Sequence, residues 1–491
     1  MNTSIQALIL WTNAVLGVIL LSSCRHVSSA PLRGIPELTV DEVFSRKDEH
    51  RRWDEVFIDA AKVPPEITKL VMEAVKSNPS LGEANARIIQ AAALVKQAEA
   101  GQGMALNYDA QLTLGRQRVP VLGRDPIHEY AAGALLSYTP DLWGKLKLQV
   151  EIAHYNHVMQ QENLRAAVLN IAGQISTLWL QVVYNRELIA NLQRQRALNR
   201  TLAAINKRRY REAGSVPNDI ILDLDRTYES LNQQILKLQS SEVLLCRQLN
   251  VLLGHSPVKP YPIVTEHLPA KIPRQMPGIP ADLLVNRPDL RAVFWRLQME
   301  TARLKLTNLA WYPDLKLSLS WRYSARELAD LLDTWITTLV AQLTGALYDS
   351  GLREAQYQQQ VGVLRELAHL YRNTYFQAIL AVETALEKAQ RAAQEEASVH
   401  SQLELIQRKS DLLRTRYAHG TAAAGEILNL EISRLQLESS LLELRRQRLQ
   451  AWFDLIQAAG GEWRLRPRSR RPQRARLHRA QHPGGLCGLR S

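Results

Sequence analysis

Side chains that could carry out chemistry are scattered along this sequence. The 12 His are dispersed, and no Ser-His-Asp order, His-Glu-x-x-His motif, phosphate-binding loop or paired-Cys motif stands out. The three cysteines, Cys24, Cys246 and Cys487, have neither metal-ligand spacing nor the density of a disulfide framework. We therefore expect no catalytic activity, no metal site and no cofactor.

Cys24 is the cysteine with a recognisable context. Residues 1–23 hold no charged side chain, not even the basic residue usual at the start of a signal peptide, and Ala7 to Leu21 is mostly apolar. The stretch is short for a membrane-spanning helix, and it is typical of a signal peptide. Leu21-Ser22-Ser23-Cys24 resembles a bacterial lipobox, which predicts lipid attachment at Cys24. The alternative is a non-lipidated signal peptide with an incidental cysteine.

The net charge of +13 comes mostly from the last residues, since 464–491 hold nine Arg and no acid. Such a tail could bind nucleic acid or anionic lipid. The rest of the chain mixes both signs, so we expect a solvated, disordered tail and no nucleic-acid partner.

Two halves of the chain share a series of matched positions. Asn78-Pro79 corresponds to Arg287-Pro288, and Gly144 corresponds to Gly351. Further pairs are Arg209-Tyr210 with Arg416-Tyr417, Gly214 with Gly420, and Leu253-Gly254 with Ala459-Gly460. The near-constant offset predicts two copies of one unit, residues 61–260 and 287–463, joined by a linker at 261–286. A separate N-terminal segment covers 24–60.

Each copy contains a predicted β-hairpin, at about 106–139 and about 314–348. Residues 315–323, LKLSLSWRY, alternate apolar and polar side chains, which is typical of a strand with one face of each kind. In the first copy we expect a turn from Pro120 to Pro126 and a second strand at about 129–138. We expect the preceding helix to begin at a capping box, Ser80 to Glu83, and to end at Gly101.

The segments after the hairpins have helical heptads. Apolar residues at 164, 168, 171, 175, 178 and 182 step by four and three, and such a stripe requires helical partners. A helix at about 146–209 would be ~96 Å long at 1.5 Å per residue, and a shorter helix would return from Pro217 to about Leu253. The helix before the strands supplies the missing length, so two short helices would stack beside each long one. The hairpin tips are then 208–219 and 415–426.

The strands have the length and alternation of a membrane barrel wall. Four strands cannot close a barrel, and an open edge in lipid would leave backbone groups unpaired. We therefore expect a homotrimer with one shared barrel of twelve strands.

These features together resemble the TolC family of outer-membrane efflux proteins, specifically the lipidated branch that serves resistance-nodulation-division pumps. The motifs are SYTPDLWGK at 137–145, ALYDSGLR at 346–353, RPDL at 287–290, the RY…G tips and AAGGEW at 458–463. The resemblance implies an α+β membrane protein: a trimeric twelve-stranded β-barrel in the outer membrane, continued into the periplasm by an α-helical barrel with an equatorial region. It also implies a periplasmic adaptor protein and an inner-membrane pump as partners, with outer-membrane lipid around the barrel.

Two groups of site residues follow. Strand turns into helix at two corners, where an Asp suits the helix N-terminus and a Gly relieves the backbone; these residues are Asp141, Trp143, Gly144, Asp349 and Gly351. The resemblance implies that the tips contact the adaptor and form an aperture, through Arg209, Tyr210, Gly214, Asp223, Arg226, Arg416, Tyr417, Gly420 and Asn429. The family's charged gate positions correspond to Asn429 and Ile432 in the second tip, so a charged lock is not expected there.

We therefore predict an outer-membrane channel of a tripartite efflux system that exports drugs or other small toxic compounds. The alternatives are a type I secretion exit duct of the same fold and a periplasmic coiled-coil scaffold lipoprotein.

Overall fold

The computed structural model describes residues 63–119, 123–213, 217–260, 263–269 and 287–460, with side chains described except at 116–128 and 213. The predicted signal peptide, Cys24, the segment 24–60, Gly214, most of 261–286 and the tail 464–491 lie outside the described residues. So does Cys487.

The first half of the described chain runs helix, helix, strand, strand, long helix, helix. Its elements are α1 (Pro65–Ser77), α2 (Pro79–Ala100), β1 (Ala105–Val119), β2 (Gly123–Tyr138), α3 (Lys145–Ala213) and α4 (Asn218–Leu252). The second half repeats this order from α2 onward, with α5 (Pro288–Leu309), β3 (Asp314–Ala325), β4 (Trp335–Thr344), α6 (Leu352–Ala418) and α7 (Ala424–Ala458). A short 3-10 turn, Leu328–Asp330, lies between β3 and β4.

The long helices α3 and α6 have 69 and 67 residues, or about 100 Å each at 1.5 Å per residue. Helix α3 packs against α2, α4, α5 and α7, and α6 packs against α5 and α7. The helices therefore form a layer in the order α2 and α4, then α3, then α5 and α7, then α6. The predicted stacking of two short helices beside each long one is present.

Each stack is joined end to end by hydrogen bonds. Where α4 meets α2, the Asn78 amide donates to the Leu252 carbonyl at 2.7 Å, and the Ser77 hydroxyl donates to the Leu253 carbonyl at 2.6 Å. Where α7 meets α5, the Arg287 guanidinium donates to the Ala458 carbonyl at 2.7 Å. Side chains therefore satisfy carbonyls that the helix ends leave without partners.

The sheet is antiparallel, with strand order β1-β2-β3-β4. Residue pairs Tyr108 and Ala134, Ala132 and Tyr323, and Leu317 and Ala341 fix its register. Both predicted hairpins are present, and β1 and β4 are the two edges.

Three predicted element ends differ from the structure. Helix α2 begins at Pro79 and is capped by Asn78, whose side-chain oxygen accepts from the Ser80 and Leu81 N–H groups. The predicted capping box is therefore wrong, because proline at the first helical position places Ser80 inside the helix. Strand β2 begins at Gly123, in a region that pairs with β1 alone, where a proline such as Pro126 is tolerated. Strand β4 ends at Thr344, short of the predicted end of the second hairpin at about 348.

The largest apolar core lies where α1, α3, α4 and α7 meet. It includes Ile67, Trp179, Leu249 and Phe453, each at most 3% exposed. By length and composition α3 is the one helix among the described residues that could cross a membrane, yet 44% of its apolar window is buried in the protein. Close to half of that apolar window is therefore used in packing within the protein.

Cys246 is fully buried in this core, and burial raises the pKa of its thiol to about 11. The thiol is thus neutral at ordinary pH and unsuited to nucleophilic chemistry.

Candidate channel wall, corners and helix tips

One face of the four-stranded sheet carries no charged side chain over its described central part. The register places the alternating residues of all four strands on this face together. Many of them are large, apolar and exposed, including Leu106 at 73%, Tyr108 at 90% and Leu339 at 74%. Its members are Leu106, Tyr108, Ala110, Leu112, Leu114, Tyr130, Ala132, Ala134, Leu136, Tyr138, Leu315, Leu317, Leu319, Trp321, Tyr323, Trp335, Thr337, Leu339, Ala341 and Leu343.

Aromatic side chains gather at both ends of this apolar face. Trp321 lies with its ring centroid 6.2 Å from that of Tyr323 and 5.9 Å from that of Trp335. At the helical end, Trp143 stacks on Tyr312 with centroids 4.9 Å apart. On β3, the two groups lie at the two ends of the apolar residues, as aromatic girdles flank a membrane span.

The opposite face of the sheet is mixed and largely polar. It carries Asn107, Asp109 and Gln111 on β1, Glu129, Leu135 and small residues on β2, and Lys316 and Arg322 on β3. The predicted alternation is weaker on β4, where Ile336 and Val340 occupy this face.

The first corner redirects the chain from β2 into α3. Gly144 has φ +76°, a left-handed conformation that a side chain would strain. The Asp141 carboxylate accepts a hydrogen bond from the Lys147 N–H at 2.9 Å, in the first turn of α3. The structure thus places an acid at the helix N-terminus, where the helix dipole favours negative charge.

The second corner, between β4 and α6, has two consecutive left-handed residues, Ser350 at φ +54° and Gly351 at φ +87°. The Asp349 carboxylate accepts from the Gly351 N–H at 3.2 Å and from the Arg353 guanidinium at 2.5 Å. That guanidinium holds the pKa of Asp349 below its ordinary value. The same guanidinium also donates to the Ala346 carbonyl at 2.8 Å. Arg353, in the first turn of α6, therefore binds both Asp349 and the chain that precedes it.

Both corners meet at one junction, the segment that joins α5 to β3. The Trp143 indole donates to the Pro313 carbonyl at 2.7 Å, and Lys145 contacts the Asp314 carboxylate at 2.7 Å. From the other corner, the Arg353 guanidinium lies 4.4 Å above the Trp311 ring. Residues 311–314 were not predicted to take part in the corners, although the pair of aromatic residues and the proline before the alternating strand are a signal in the sequence.

The second tip is built by a Schellman motif at the end of α6. The Thr421 N–H donates to the Arg416 carbonyl at 2.8 Å, and the Gly420 N–H donates to the Tyr417 carbonyl at 2.9 Å. Gly420 has φ +70°, as this motif requires. Across the turn, the Glu426 carboxylate accepts from the Ala423 N–H at 3.2 Å, which starts α7.

At the first tip, Gly214 lies outside the described residues. Tyr210 is 47% exposed, Arg209 is exposed, and Asp223 pairs loosely with Arg226 at 3.6 Å on the surface of α4. A closer pair, Lys207 with Asp225 at 2.9 Å, joins α3 to α4 and was not anticipated. In the second tip Arg416, Tyr417 and Asn429 are exposed.

A short segment, 263–269, is held against the core by the Glu66 carboxylate. Glu66 accepts from the Trp179 indole at 2.7 Å, the Val264 N–H at 2.6 Å and the Thr265 hydroxyl. Burial alone would raise the pKa of Glu66, but these hydrogen bonds outweigh it and lower that pKa below its ordinary value. Arg186 also holds this segment, because its guanidinium donates to the Ile263 and Thr265 carbonyls at 3.1 and 3.0 Å.

The described residues contain no group of three or more His, Cys, Asp or Glu side chains that could hold a metal ion.

Comparison with known proteins agrees with this architecture. The chain is 26% identical over 416 residues to the pyoverdine export outer membrane protein OpmQ of Pseudomonas aeruginosa, covering 81% of this chain and 86% of OpmQ. It is 24% identical to the probable outer membrane lipoprotein SilC of Salmonella typhimurium, covering 91% and 97%. The solved structure of the outer membrane protein VceC from Vibrio cholerae has the same fold, with a TM-score of 0.71, 21% identity and coverage of 81% and 96%.

The model of the family "outer membrane efflux protein" matches residues 70–255 and 279–461, well over half of the chain. The family is one of transport proteins, and its members act at the outer membrane. The chain belongs to the outer membrane efflux protein family.

Proposed function

We propose that three copies of this chain close one twelve-stranded barrel and form the outer-membrane conduit of a tripartite efflux system. The observation that carries this proposal is the charge-free, exposed apolar face on a sheet with two open edges. In lipid, each unpaired edge group costs several kcal/mol. Pairing β4 of one copy with β1 of the next would remove both edges, and three copies give the even number of strands usual in bacterial barrels.

The height of the apolar face fits a membrane. From Tyr312, two residues before β3, to Tyr323, eleven residues at ~3.3 Å span at most about 36 Å, or about 26 Å at a 45° tilt. That is close to the ~25 Å apolar band of outer-membrane barrels. The aromatic groups at the two ends would then lie at the two lipid interfaces.

The helical layer would continue the conduit into the periplasm. Three copies contribute twelve helical columns, which can close a tube below the twelve strands. The two matches of one family model support two similar units per chain, and near-equivalent units pack evenly around a ring. The tips lie ~100 Å below the corners by helix rise, where a periplasmic adaptor would dock and link the conduit to an inner-membrane pump.

Two further points belong to this proposal. Similarity to a lipoprotein, SilC, supports lipid attachment at Cys24 as a second anchor. Relatives named for pyoverdine export and for multidrug resistance support small-molecule cargo, with no catalysis by this chain.

A pair of substitutions on one strand tests the wall assignment. Leu317→Arg would place a charge toward lipid, at a cost of ~2–4 kcal/mol near the midplane, whereas Ser318→Arg would face the lumen and should be tolerated. We expect heat-modifiable trimers in the outer membrane and efflux activity for Ser318→Arg, with loss of both for Leu317→Arg. Equal behaviour of the two variants, or soluble wild-type protein in the periplasm, would contradict the proposal.

A further inference from the structure

Two opposite charges lie at the same level on the polar face of the sheet. The register places Asp109 on β1 beside Gly133 on β2, and Gly133 beside Arg322 on β3. Adjacent strands are about 4.8 Å apart, so the Cα atoms of Asp109 and Arg322 are separated by roughly 10 Å.

Gly133 leaves the space between these side chains open. A Cβ atom at position 133 would lie 3.1 Å from Asp109 Oδ1, 3.0 Å from the Trp321 carbonyl oxygen and 3.6 Å from the Arg322 Cα. The Asp109 carboxylate therefore lies over Gly133 and leans toward the strand of Arg322. A larger residue at this position would crowd the carboxylate and the backbone of β3.

Both charged side chains are exposed. Neither has an ion-pair or side-chain hydrogen-bond partner within the ranges the structure covers. The electric fields of these two charges therefore extend into the solvent in front of the polar face.

We propose that Asp109 and Arg322 set the ion selectivity of the conduit. This inference rests on the proposed function, which makes the polar face the lining of the barrel. Twelve strands spaced by about 4.8 Å and tilted by about 45° give a Cα radius of about 13 Å. Once side chains occupy part of that radius, the fields of wall charges reach much of the lumen at a Debye length of about 10 Å in 0.1 M salt.

Among the described side chains, the other charges of this face are too distant to offset the pair. Lys316 and Asp314 are six and eight residues from Arg322, or about 20 and 26 Å along β3, and Glu129 is four residues from Gly133, or about 13 Å along β2. All three separations exceed the Debye length of about 10 Å. The three copies of Asp109 and the three copies of Arg322 would form one ring of charges around the lumen. This ring holds the two signs in equal number, so in the wild type it excludes neither anionic nor cationic solutes.

Reversal potentials of purified trimers in planar lipid bilayers, measured across a KCl gradient near 0.1 M, test this assignment. Arg322→Gln leaves an unbalanced acidic ring and should raise the potassium-to-chloride permeability ratio by roughly twofold or more. Asp109→Asn should lower the ratio by a similar factor, and the double variant should return close to wild type. Near 1 M salt, where the Debye length is about 3 Å, the differences should disappear.

Lys316→Gln is the matched control, because it removes one positive charge from the same face of the same strand. Combined with Asp109→Asn, it should fail to restore the wild-type ratio as Arg322→Gln does. Conducting trimers in which Asp109→Asn and Arg322→Gln leave the ratio unchanged, or shift it in the same direction, would overturn the inference. Wild-type protein that never conducts would instead overturn the proposed channel itself.

Discussion

Gly254 lies at the closest backbone contact between the two halves of a helix stack, and its replacement by alanine should be strongly destabilising. The residue follows α4 at φ +74°, and a Cβ atom there would lie 2.1 Å from the carbonyl oxygen of Ser77. No real Cβ contact is that short, and the opposing atom belongs to the backbone. The end of α4 would have to move away from the kink between α1 and α2.

The cost can be worked out from the contacts that this movement breaks. Left-handed backbone at a residue with a side chain costs about 1–2 kcal/mol. Separation of the helix ends also breaks the hydrogen bonds from Ser77 to Leu253 and from Asn78 to Leu252. Asn78 is buried, and an unsatisfied buried group costs about 1–3 kcal/mol. Together these effects lower the free energy of unfolding by about 2–5 kcal/mol.

Substitutions at two other glycines distinguish the cost of backbone strain from the cost of the Cβ clash. Gly420 has φ +70° with no heavy atom within 4 Å of a Cβ, so Gly420→Ala should cost only the conformational strain of about 1–2 kcal/mol. Gly82 lies inside α2, also with open space, so Gly82→Ala should stabilise by about 0.5–1 kcal/mol.

The assay is denaturant unfolding of each purified variant in detergent, followed by far-ultraviolet circular dichroism. The expected order of stability is Gly82→Ala, then wild type, then Gly420→Ala, and last Gly254→Ala. If Gly254→Ala lost no more stability than Gly420→Ala, the close backbone contact between α4 and Ser77 would be refuted.

Three further predictions concern the tip, the core and the anchor. Gly420→Val should distort the Schellman turn, leaving the membrane barrel intact while reducing adaptor crosslinking and efflux. Gly362→Val, in open space within α6, the helix that Gly420 follows, is the control, and wild-type crosslinking by Gly420→Val would contradict the tip assignment. The pKa of Glu66 in the folded state is lowered below its ordinary value of 4.5. The ionised carboxylate therefore stabilises the fold at pH values above 4.5, and this stabilisation is lost as the pH falls through the folded-state pKa. Glu66→Gln should therefore be less stable than wild type at pH 7 by thermal unfolding, with a difference that shrinks below about pH 4; a difference independent of pH would be inconsistent with this account. Cys24→Ala should abolish labelling by radioactive palmitate, and unchanged labelling would show that the lipid is attached elsewhere.

Local periodicity made much of this fold readable from the sequence. Residues 315–323 alternate on a period of two, and the apolar residues from 164 to 182 step on a helical period, so strand and helix were distinguishable. The glycines at the corners and the second tip were identifiable because few other residues adopt a positive φ. Each of these signals is carried by residues that lie close together in the chain.

The tertiary structure determined which residues distant in the chain contact one another. Lys145 contacts Asp314, Asn78 reaches Leu252, and Gly254 lies against Ser77, across separations of more than 160 residues. The polar face, too, acquired its facing charges only through the register that aligns Asp109, Gly133 and Arg322. No local pattern encodes such contacts, because they depend on how long helices pack against one another and on which residues two strands pair, and both are settled by the folded chain as a whole.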